Sequence, residues 1–443
     1  MPALSSGTSN VGLDLWPQKD INEYLVAESP LLGLLKKRTD FNEDNWHIGF
    51  GTGTPQGVGP VFQFAKEGKT SSTADQFTIR AKTLYAIFSI EGRIIRQSKK
   101  NGALLVKPYA RESKNSISQW KREMSAFLYG NGGGSIGQID PTGFDPNSRT
   151  FRLRDPSKVR FFSRYQKLWF ATGNDGSIDP GTPLPGGGGG VAGGVNNGFV
   201  TIEEISRSGD TRGTIVIKEP SLNSVVQGIT ANDFIFRRGV FGNVVTGIQG
   251  WIPPGKPGGI NPVTGLPIPD NFLGSRSKRS ADSDIYAGMR IDGRRAGGIF
   301  QCGMLAATAL VDSGAKPDTW LMSTFDWNKL RVELSAAGSL TYNTTPAAGI
   351  GKYKPGATYK SIVIMGPAGE IDVFPDPDCP TGRSLMTQLD TWTLALTNEL
   401  VQLVEDPMME ENADSWESRF VGDHELYNEM PAYTATLQHA EGA

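Results

Sequence analysis

The chain has 443 residues, and 44 basic against 46 acidic side chains give it a formal net charge of −2 at pH 7. This balance excludes a globally basic nucleic-acid coat and an acidic disordered tail, and leaves room only for local charged patches. At roughly 100–200 residues per domain, the length predicts two to four lobes. The 55 glycines and 28 prolines exceed the usual shares of about 7% and 5%, which favours turns and sheet bends over a helix bundle.

Signals for membranes, secretion and metal chemistry are sparse. No stretch approaches the ~20 apolar residues of a membrane helix, and the start MPALSSGTSN lacks the basic and apolar regions of a secretory signal. Cys302 and Cys379 are too few for a disulfide framework, although a single bridge stays open as an alternative. His47, His424 and His439 are the only histidines, which limits metal and general-base chemistry. We expect a chain that folds in the cytoplasm and has no membrane partner.

Residues 1–47 are expected to form an arm. Their apolar residues lie in short patches around Trp16 and Leu32, which Pro17 and Pro30 interrupt. This pattern predicts two short helices, which cannot close a core between themselves and must pack on another part of the molecule.

Residues 48–98 are predicted to contain a long hairpin. After a loop at 48–60, a strand begins at Val61, a polar tip KEGKTSSTAD follows, and a second strand runs over 77–90. The apolar positions of this second strand change parity between Ala81 and Leu84, which predicts a bulge or bend. Such a strand would span about 48 Å at ~3.4 Å per residue. An isolated hairpin is marginally stable, so we expect it to leave its subunit and contact a neighbour through its tip, which carries Lys66, Glu67 and Lys69.

Residues 99–149 contain the clearest helix signal. Pro108 suits a first helical position and Gly130 suits the position after a helix end. Between them the apolar residues follow helical spacing and predict one buried face, formed by Ile117, Trp120, Met124 and Phe127.

The remaining segments complete an α+β protein. Residues 150–274 are β-rich and are interrupted by a glycine-rich segment at 181–198. Residues 275–360 alternate helix and strand, with Ser323 and Asp326 resembling a capping box. Residues 361–443 are predicted to form strands.

Three segments resemble nucleotide-binding or metal-binding motifs, but none has the full pattern or the structural context that its motif requires. Gly68-Lys69-Thr70 resembles the end of a phosphate loop, but Gln63 occupies the position that requires glycine. The GxGxxG match at 132–137 follows a predicted helix, whereas the dinucleotide fingerprint precedes one. Asp372, Asp376 and Asp378 lack the calcium-loop pattern. We predict no catalytic residue, no cofactor and no metal site, and therefore no enzyme.

Basic clusters stand at 36–38, 93–100, 276–279 and 290–295. They fit either solvated faces and inter-subunit ion pairs or contacts with phosphates, whose strength would fall with salt. The sequence leaves both interpretations open.

The order of these parts resembles the tailed-bacteriophage major capsid proteins of the Hong-Kong-97 type. The resemblance is carried by FLYGNGGG after the helix, GITANDFIFRRG, VTGIQGWIP, RSADSDIYAGMR, GAKPDTWLMSTFDWNKL and IMGPAGEIDVFPDPDCPTG, in this order over most of the chain. It implies an N-terminal arm at 1–47, an extended E-loop hairpin at 48–98, a spine helix and peripheral domain at 99–149, a β-rich segment or insertion at 150–274, an axial α/β domain at 275–360, and strands returning to the peripheral domain at 361–443.

The same resemblance implies a function. Copies of the chain would assemble as hexamers and pentamers into an icosahedral virion shell around double-stranded DNA, after folding in the host cytoplasm. The implied partners are the chain itself, portal and scaffolding proteins, the packaged DNA through non-specific contacts, and in some relatives a decoration protein. Some relatives crosslink a hairpin lysine to an asparagine. Lys66 and Lys69 suit the first half, but no partner asparagine is identifiable, so no crosslink is expected.

Two other functions fit parts of the pattern. An encapsulin-like compartment shares the fold but encloses enzymes, and a neighbouring portal gene would distinguish a virus shell from it. A β-rich tail or surface binding module would explain the glycines and aromatic strands, and it would be a monomer that forms no shells.

Overall fold

The structure is a computed structural model of the chain. Three predicted parts lie wholly or partly outside the residues it describes: residues 1–28 of the arm, the glycine-rich segment after residue 177, and residues 337–361. The described ranges are 29–41, 45–93, 103–171, 175–177, 199–226, 228–295, 297–336, 362–403, 408–409 and 414–439.

Helices and strands both occur throughout these ranges, so the mixed α and β prediction is confirmed. The α-helices are α1 Pro30–Leu34, α2 Phe62–Glu67, α3 Ala103–Leu128, α4 Ile248–Trp251, α5 Ser283–Ala287, α6 Ile299–Asp312 and α7 Thr324–Ala336. The strands are β1 Lys36–Arg38, β2 Trp46–Gly53, β3 Thr73–Ile79, β4 Lys82–Glu91, β5 Gly137–Gln138, β6 Thr150–Arg152, β7 Lys167–Ala171, β8 Val200–Ile205, β9 Thr214–Ile217, β10 Phe234–Phe236, β11 Met289–Asp292, β12 Thr319–Met322, β13 Ile362–Gly366, β14 Gly369–Pro375, β15 Arg383–Thr387, β16 Trp392–Leu396, β17 Gln402–Leu403, β18 Met408–Met409, β19 Ser415–Asn428 and β20 Thr434–Gln438.

The body sheet is built on the long strand β19. Strands β1, β16, β19 and β17 follow one another in it, and β18 and β4 also pair with β19. β4 runs antiparallel to β19 over ten residue pairs, from Lys82 opposite His424 to Glu91 opposite Ser415. Alternate β4 residues, among them Phe88, are buried in one core with the face of α3 that carries Trp120. The long helix therefore lies against this sheet.

The β-rich lobe is a six-stranded sheet in the order β5, β10, β7, β8, β9, β6. It has its own hydrophobic core, which includes Phe162, Phe170 and Ile215. A core distinct from that of the body sheet is what an inserted lobe requires, although Phe127 of α3 also contributes to it.

The α/β lobe is a sheet in the order β11, β20, β15, β12, β14, β13, together with α6 and α7. Its core contains Trp320, Leu330 and Leu437. At the start of α7, Ser323 Oγ accepts a hydrogen bond from Asp326 N at 3.1 Å and donates to Asp326 Oδ2 at 2.7 Å. The serine half of the capping box is thus present. Asp326 Oδ2 also accepts a hydrogen bond from Gly382 N at 2.8 Å.

The hairpin differs from its prediction in both strands. Its strands are β2 and β3, paired from Trp46 opposite Ile79, and the segment after Val61 is the helix α2. A bulge or bend was predicted between Ala81 and Leu84, and the chain breaks next to that interval, where β3 ends at Ile79 and β4 begins at Lys82. This break ends the hairpin, and β4 then joins β19 of the same chain. The strand prediction at 61 was wrong because no side chain of Phe62–Glu67 is buried, so nothing stabilises an extended conformation there.

Two further expectations are wrong. The long helix already runs at Ala103, so Pro108 lies within it rather than at its start. Its end agrees with the prediction, because α3 ends at Leu128 and Gly130 follows, although the left-handed backbone occurs at Gly132. Residues 361–443 do not return as one unit: β13, β14, β15 and β20 belong to the α/β lobe, whereas β16 to β19 belong to the body sheet. Long-range pairing, which local alternation does not reveal, decides this division.

Candidate assembly surfaces

The base of the hairpin is anchored to its own subunit. The rings of Phe50 and Phe77 stack at 4.5 Å, and Phe77 meets Trp251 edge to face at 5.0 Å. Between these rings and the tip, the Asp75 carboxylate accepts hydrogen bonds from the backbone N–H of Arg276 at 3.0 Å and from the Tyr286 hydroxyl at 2.9 Å.

The charge of Asp75 is stabilised at this anchor. Burial alone would raise its pKa, but the backbone N–H groups of Arg276, Gln76 and Ser277 donate to the carboxylate and lower the pKa to about 2. The hairpin base is therefore fixed by both aromatic packing and an ionised carboxylate.

The tip, residues 54–72, stands away from this anchor. It is ordered by contacts within itself: Gln56 N donates to Thr70 Oγ1 at 3.0 Å, and a Cβ placed on Gly57 or Gly59 would lie 3.2 or 3.3 Å from the Ala65 backbone. Glycine suits both positions, because a side chain there would make a tight contact with α2.

The tip presents apolar side chains to solvent. Phe62 is 82% exposed and Phe64 65%, and Val58 and Val61 join them. We call these four residues the tip patch. Contiguous exposed apolar groups rimmed by polar ones are typical of interaction sites.

The predicted tip residues Lys66, Glu67 and Lys69 are all exposed on or after α2. Glu67 Oε1 accepts a hydrogen bond from Gln63 Nε2 at 3.3 Å within the same helix. These polar residues rim the tip patch. The patch itself was not predicted, because the run PVFQF was interpreted as a strand, although its apolar residues were visible in a polar context.

Three of the four predicted helix-packing residues lie in the core of the body sheet. Ile117, Trp120 and Met124 are buried there, whereas Phe127 lies in the core of the β-rich lobe. Helix α3 therefore joins two cores. The Trp120 ring also lies 5.2 Å from the ring of His424, whose pKa burial lowers to about 4.

The aspartates considered as metal ligands bind protein groups instead. Asp376 Oδ2 accepts from the Tyr129 hydroxyl at 2.8 Å and from Leu31 N at 3.2 Å, and Asp378 pairs with Arg160 at 2.9 Å. Burial, with the Asp378 carboxylate beside it, raises the pKa of Asp376. Within the described ranges, no group of three or more histidine, cysteine, aspartate and glutamate side chains could hold a metal ion.

The two glycine motifs also have structural explanations. Gly68, Lys69 and Thr70 lie at the exposed tip, with the Thr70 hydroxyl bound to Gln56 N. Gly133, in the GxGxxG match, packs so closely on residues 175–177 that even a Cβ would overlap the Asp175 carbonyl oxygen. A pyrophosphate has no room at that position.

Cys302 and Cys379 are both buried and free, so the single-bridge alternative is wrong. They lie in different cores, Cys302 in the α/β lobe and Cys379 in the core of the body sheet.

Several residues of the basic clusters make contacts within the chain, and residues 94–100 of one cluster lie outside the described residues. Arg38 pairs with Asp40 at 2.7 Å. Arg279 is buried, donates to the Gly250 carbonyl at 3.1 Å, and lies 4.1 Å over the Phe272 ring; burial lowers its pKa to about 9. These clusters are in part structural.

None of the helices in the described part of the chain combines the length and apolar character needed to cross a membrane. No protein-family model and no curated protein matches the chain.

Solved structures similar to this chain include components of phage and GTA capsids. A chain of the cyanophage A-1(L) capsid asymmetric unit is 12% identical, with a TM-score of 0.48 and 94% of each chain covered. A chain of the satellite phage P4 procapsid that includes the size determination (Sid) protein is 11% identical, with a TM-score of 0.37, covering 99% of this chain and 91% of that one. A chain of the native GTA particle capsid is 11% identical, with a TM-score of 0.36, covering 94% and 91%.

Proposed function

We propose that this chain is a major capsid protein of a tailed bacteriophage, whose copies assemble as hexamers and pentamers into an icosahedral shell around double-stranded DNA. The observation that carries the proposal is a hairpin with an anchored base and an uncovered apolar tip. Phe50 and Phe77 fix the base within the subunit, whereas Phe62 and Phe64 find no partner in the described residues of their own chain. A second copy is the natural source of that partner.

The parts of the fold take the roles that the sequence resemblance implies, with changed bounds. The hairpin of β2 and β3, residues 46–79, serves as the E-loop, and α3 serves as the spine helix on the body sheet. The α/β lobe serves as the axial domain, and it includes β13, β14, β15 and β20. The β-rich lobe, whose core is its own, serves as the insertion.

This role makes the chain a structural component of the virion that assembles in the host cytoplasm. Portal and scaffolding proteins, a decoration protein and packaged DNA belong to the proposal as partners that the role implies. The charges of the described side chains agree with weak DNA contact, because several basic residues are already paired within the chain.

The experiment compares Phe62→Ser/Phe64→Ser with a matched control, Gln63→Ser, on the same exposed helix. Each full-length variant is expressed under conditions in which the wild type forms particles, and shells are counted by negative-stain microscopy and sedimentation. We expect wild-type folding in both variants and a loss of shells only in the double variant.

Two results would contradict the proposal. A wild-type chain that stays monomeric and forms no particles with a scaffold present would favour a binding module. Equal shell yield and stability in both variants would show that the tip patch makes no assembly contact.

A further inference from the structure

A cleft of about 640 Å³, lined by both polar and apolar groups, separates the β-rich lobe from the α/β lobe. One wall is the segment that leads into and forms the 3₁₀ helix Pro156–Phe161 of the β-rich lobe. The opposite wall is the loop 377–383 with the first turns of α7. The volume suits a small ligand. Phe161 of the first wall packs in the core of the β-rich lobe, whereas Cys379 of the second wall packs in the core of the body sheet.

Among the charged side chains that line this cleft, those without an oppositely charged partner are mainly cationic. Its cationic lining residues are Arg154, Lys158, Arg160, Lys329 and Arg383, and its carboxylates are Asp155, Asp175, Asp326 and Asp378. The carboxylates are bound by nearby donors. Asp155 Oδ1 accepts from Ser157 N at 2.9 Å, and Asp175 Oδ2 accepts from Asn131 Nδ2 at 2.6 Å.

The cationic side chains have fewer oppositely charged partners than the carboxylates have hydrogen-bond donors. Arg160 has a carboxylate partner, Asp378, at 2.9 Å. Arg154 reaches only the neutral acceptors Gln138 Oε1 at 3.3 Å and Asn232 Oδ1 at 3.5 Å, and Lys329 lies over the Phe325 ring at 4.7 Å.

The Lys158 ammonium is the least compensated of them. Within the described residues it forms no hydrogen bond or ion pair. Burial lowers its pKa; the Asp155 and Asp175 charges oppose this shift, and the Arg383 charge adds to it. Lys158 is half-buried, and its unpaired ammonium belongs to the lining of the cleft. A bound anion would supply the counter-charge that this ammonium lacks.

We propose that the cleft binds a small phosphate-type oxyanion, held by Lys158 with Arg154 at its outer side. The charge of the anion offsets that of Lys158, and its several oxygens accept from both cations. Because the two walls belong to different lobes, a bound anion also holds those lobes in one arrangement.

The test uses inorganic phosphate and the purified, unassembled full-length chain. The melting temperature is measured in phosphate and in chloride at equal ionic strength, so that general screening is the same. With phosphate about tenfold above its dissociation constant, we expect a phosphate-specific rise of about 1–2 °C for the wild type. In Lys158→Met this rise disappears, and in Lys218→Met, an exposed lysine of the same lobe that does not line the cleft, it remains.

A second variant keeps the proposal testable if Lys158→Met does not fold. Arg154→Gln changes an exposed side chain, and titration calorimetry should show phosphate binding about tenfold weaker than in the wild type. The proposal is overturned if the wild type shows no phosphate-specific rise, or if Lys158→Met and Lys218→Met respond to phosphate equally. Neither result depends on shell formation, so the proposed function is tested separately.

Discussion

The indole N–H of Trp120 donates a hydrogen bond to the backbone carbonyl of Leu84 at 3.2 Å. Trp120 is in the middle of α3 and Leu84 is in β4, the strand that continues directly from the projecting hairpin. The bond joins the long helix to the point where the hairpin enters the body of the subunit. In the proposed shell, a force on the hairpin would therefore reach α3 through this contact.

The first prediction concerns this contact. Trp120 is 1% exposed, so Trp120→Ala should lower the free energy of unfolding by about 3–5 kcal/mol. Trp120→Phe keeps most of the packing but leaves the Leu84 carbonyl without its donor, and should cost only about 1 kcal/mol. Urea unfolding of the unassembled chain measures both values. Unchanged stability in Trp120→Ala would refute the burial of this ring.

The second prediction concerns the hairpin anchor. The pKa of Asp75 is lowered to about 2 in the folded chain, against an ordinary value near 4, so its ionised form stabilises the fold above pH ~4. That contribution is lost as the pH falls from about 4 to 2, when the carboxylate becomes protonated. Asp75→Ala should increase backbone hydrogen exchange in β2 and β3 at neutral pH, and should show less acid sensitivity than the wild type. Identical exchange in the two proteins would show that Asp75 does not anchor the hairpin.

The sequence predicted the long helix well because its signal is local. Ile117, Trp120 and Met124 recur at helical spacing, and that spacing alone places them on one face. The exact start was mispredicted, because Pro108 is favoured at a first turn yet is accommodated within α3.

The hairpin was harder to predict because its burial depends on distant residues. Strand β2 contains three glycines, which indicated a loop, yet Ile48 and Phe50 alternate with them and are buried. Phe62 and Phe64 have the same alternation and are exposed on a helix. Local alternation cannot distinguish a segment that packs on its own subunit from one that lacks a partner there. The cleft charges are equally long-range, since Lys158 and Arg383 are far apart in the sequence.

The third prediction concerns two adjacent buried residues of β19 with opposite pH effects. Burial raises the pKa of Glu425 to about 8 and lowers that of His424 to about 4. Glu425 stays protonated in the folded chain while the unfolded chain ionises, so its effect reduces stability as the pH rises from about 4.5 to 8. His424 stays neutral in the folded chain, so its effect reduces stability as the pH falls from about 6.5 to 4.

Glu425→Gln separates the two effects. The amide oxygen can still accept from Thr246 N, which lies 2.7 Å from Glu425 Oε1, but it carries no titratable proton. The variant should therefore gain stability over the wild type progressively between pH 6.5 and 8, where His424 no longer contributes a slope. Unfolding free energies measured across this range check the prediction, and a constant difference between the two proteins would contradict it.

The fourth prediction concerns the chemistry of the tip. Lys66 and Lys69 are exposed there, and neither has a carboxylate partner among the described residues. We expect these lysines to contribute to solubility and to polar contacts around the tip patch, with no covalent bond to a neighbouring copy. Mature particles boiled in detergent should then run as a single band near 47.8 kDa, and Lys66→Arg/Lys69→Arg should give the same pattern. A ladder of higher bands that disappears in this variant would show that the tip does form crosslinks, because arginine keeps the charge but lacks the nucleophilic amine.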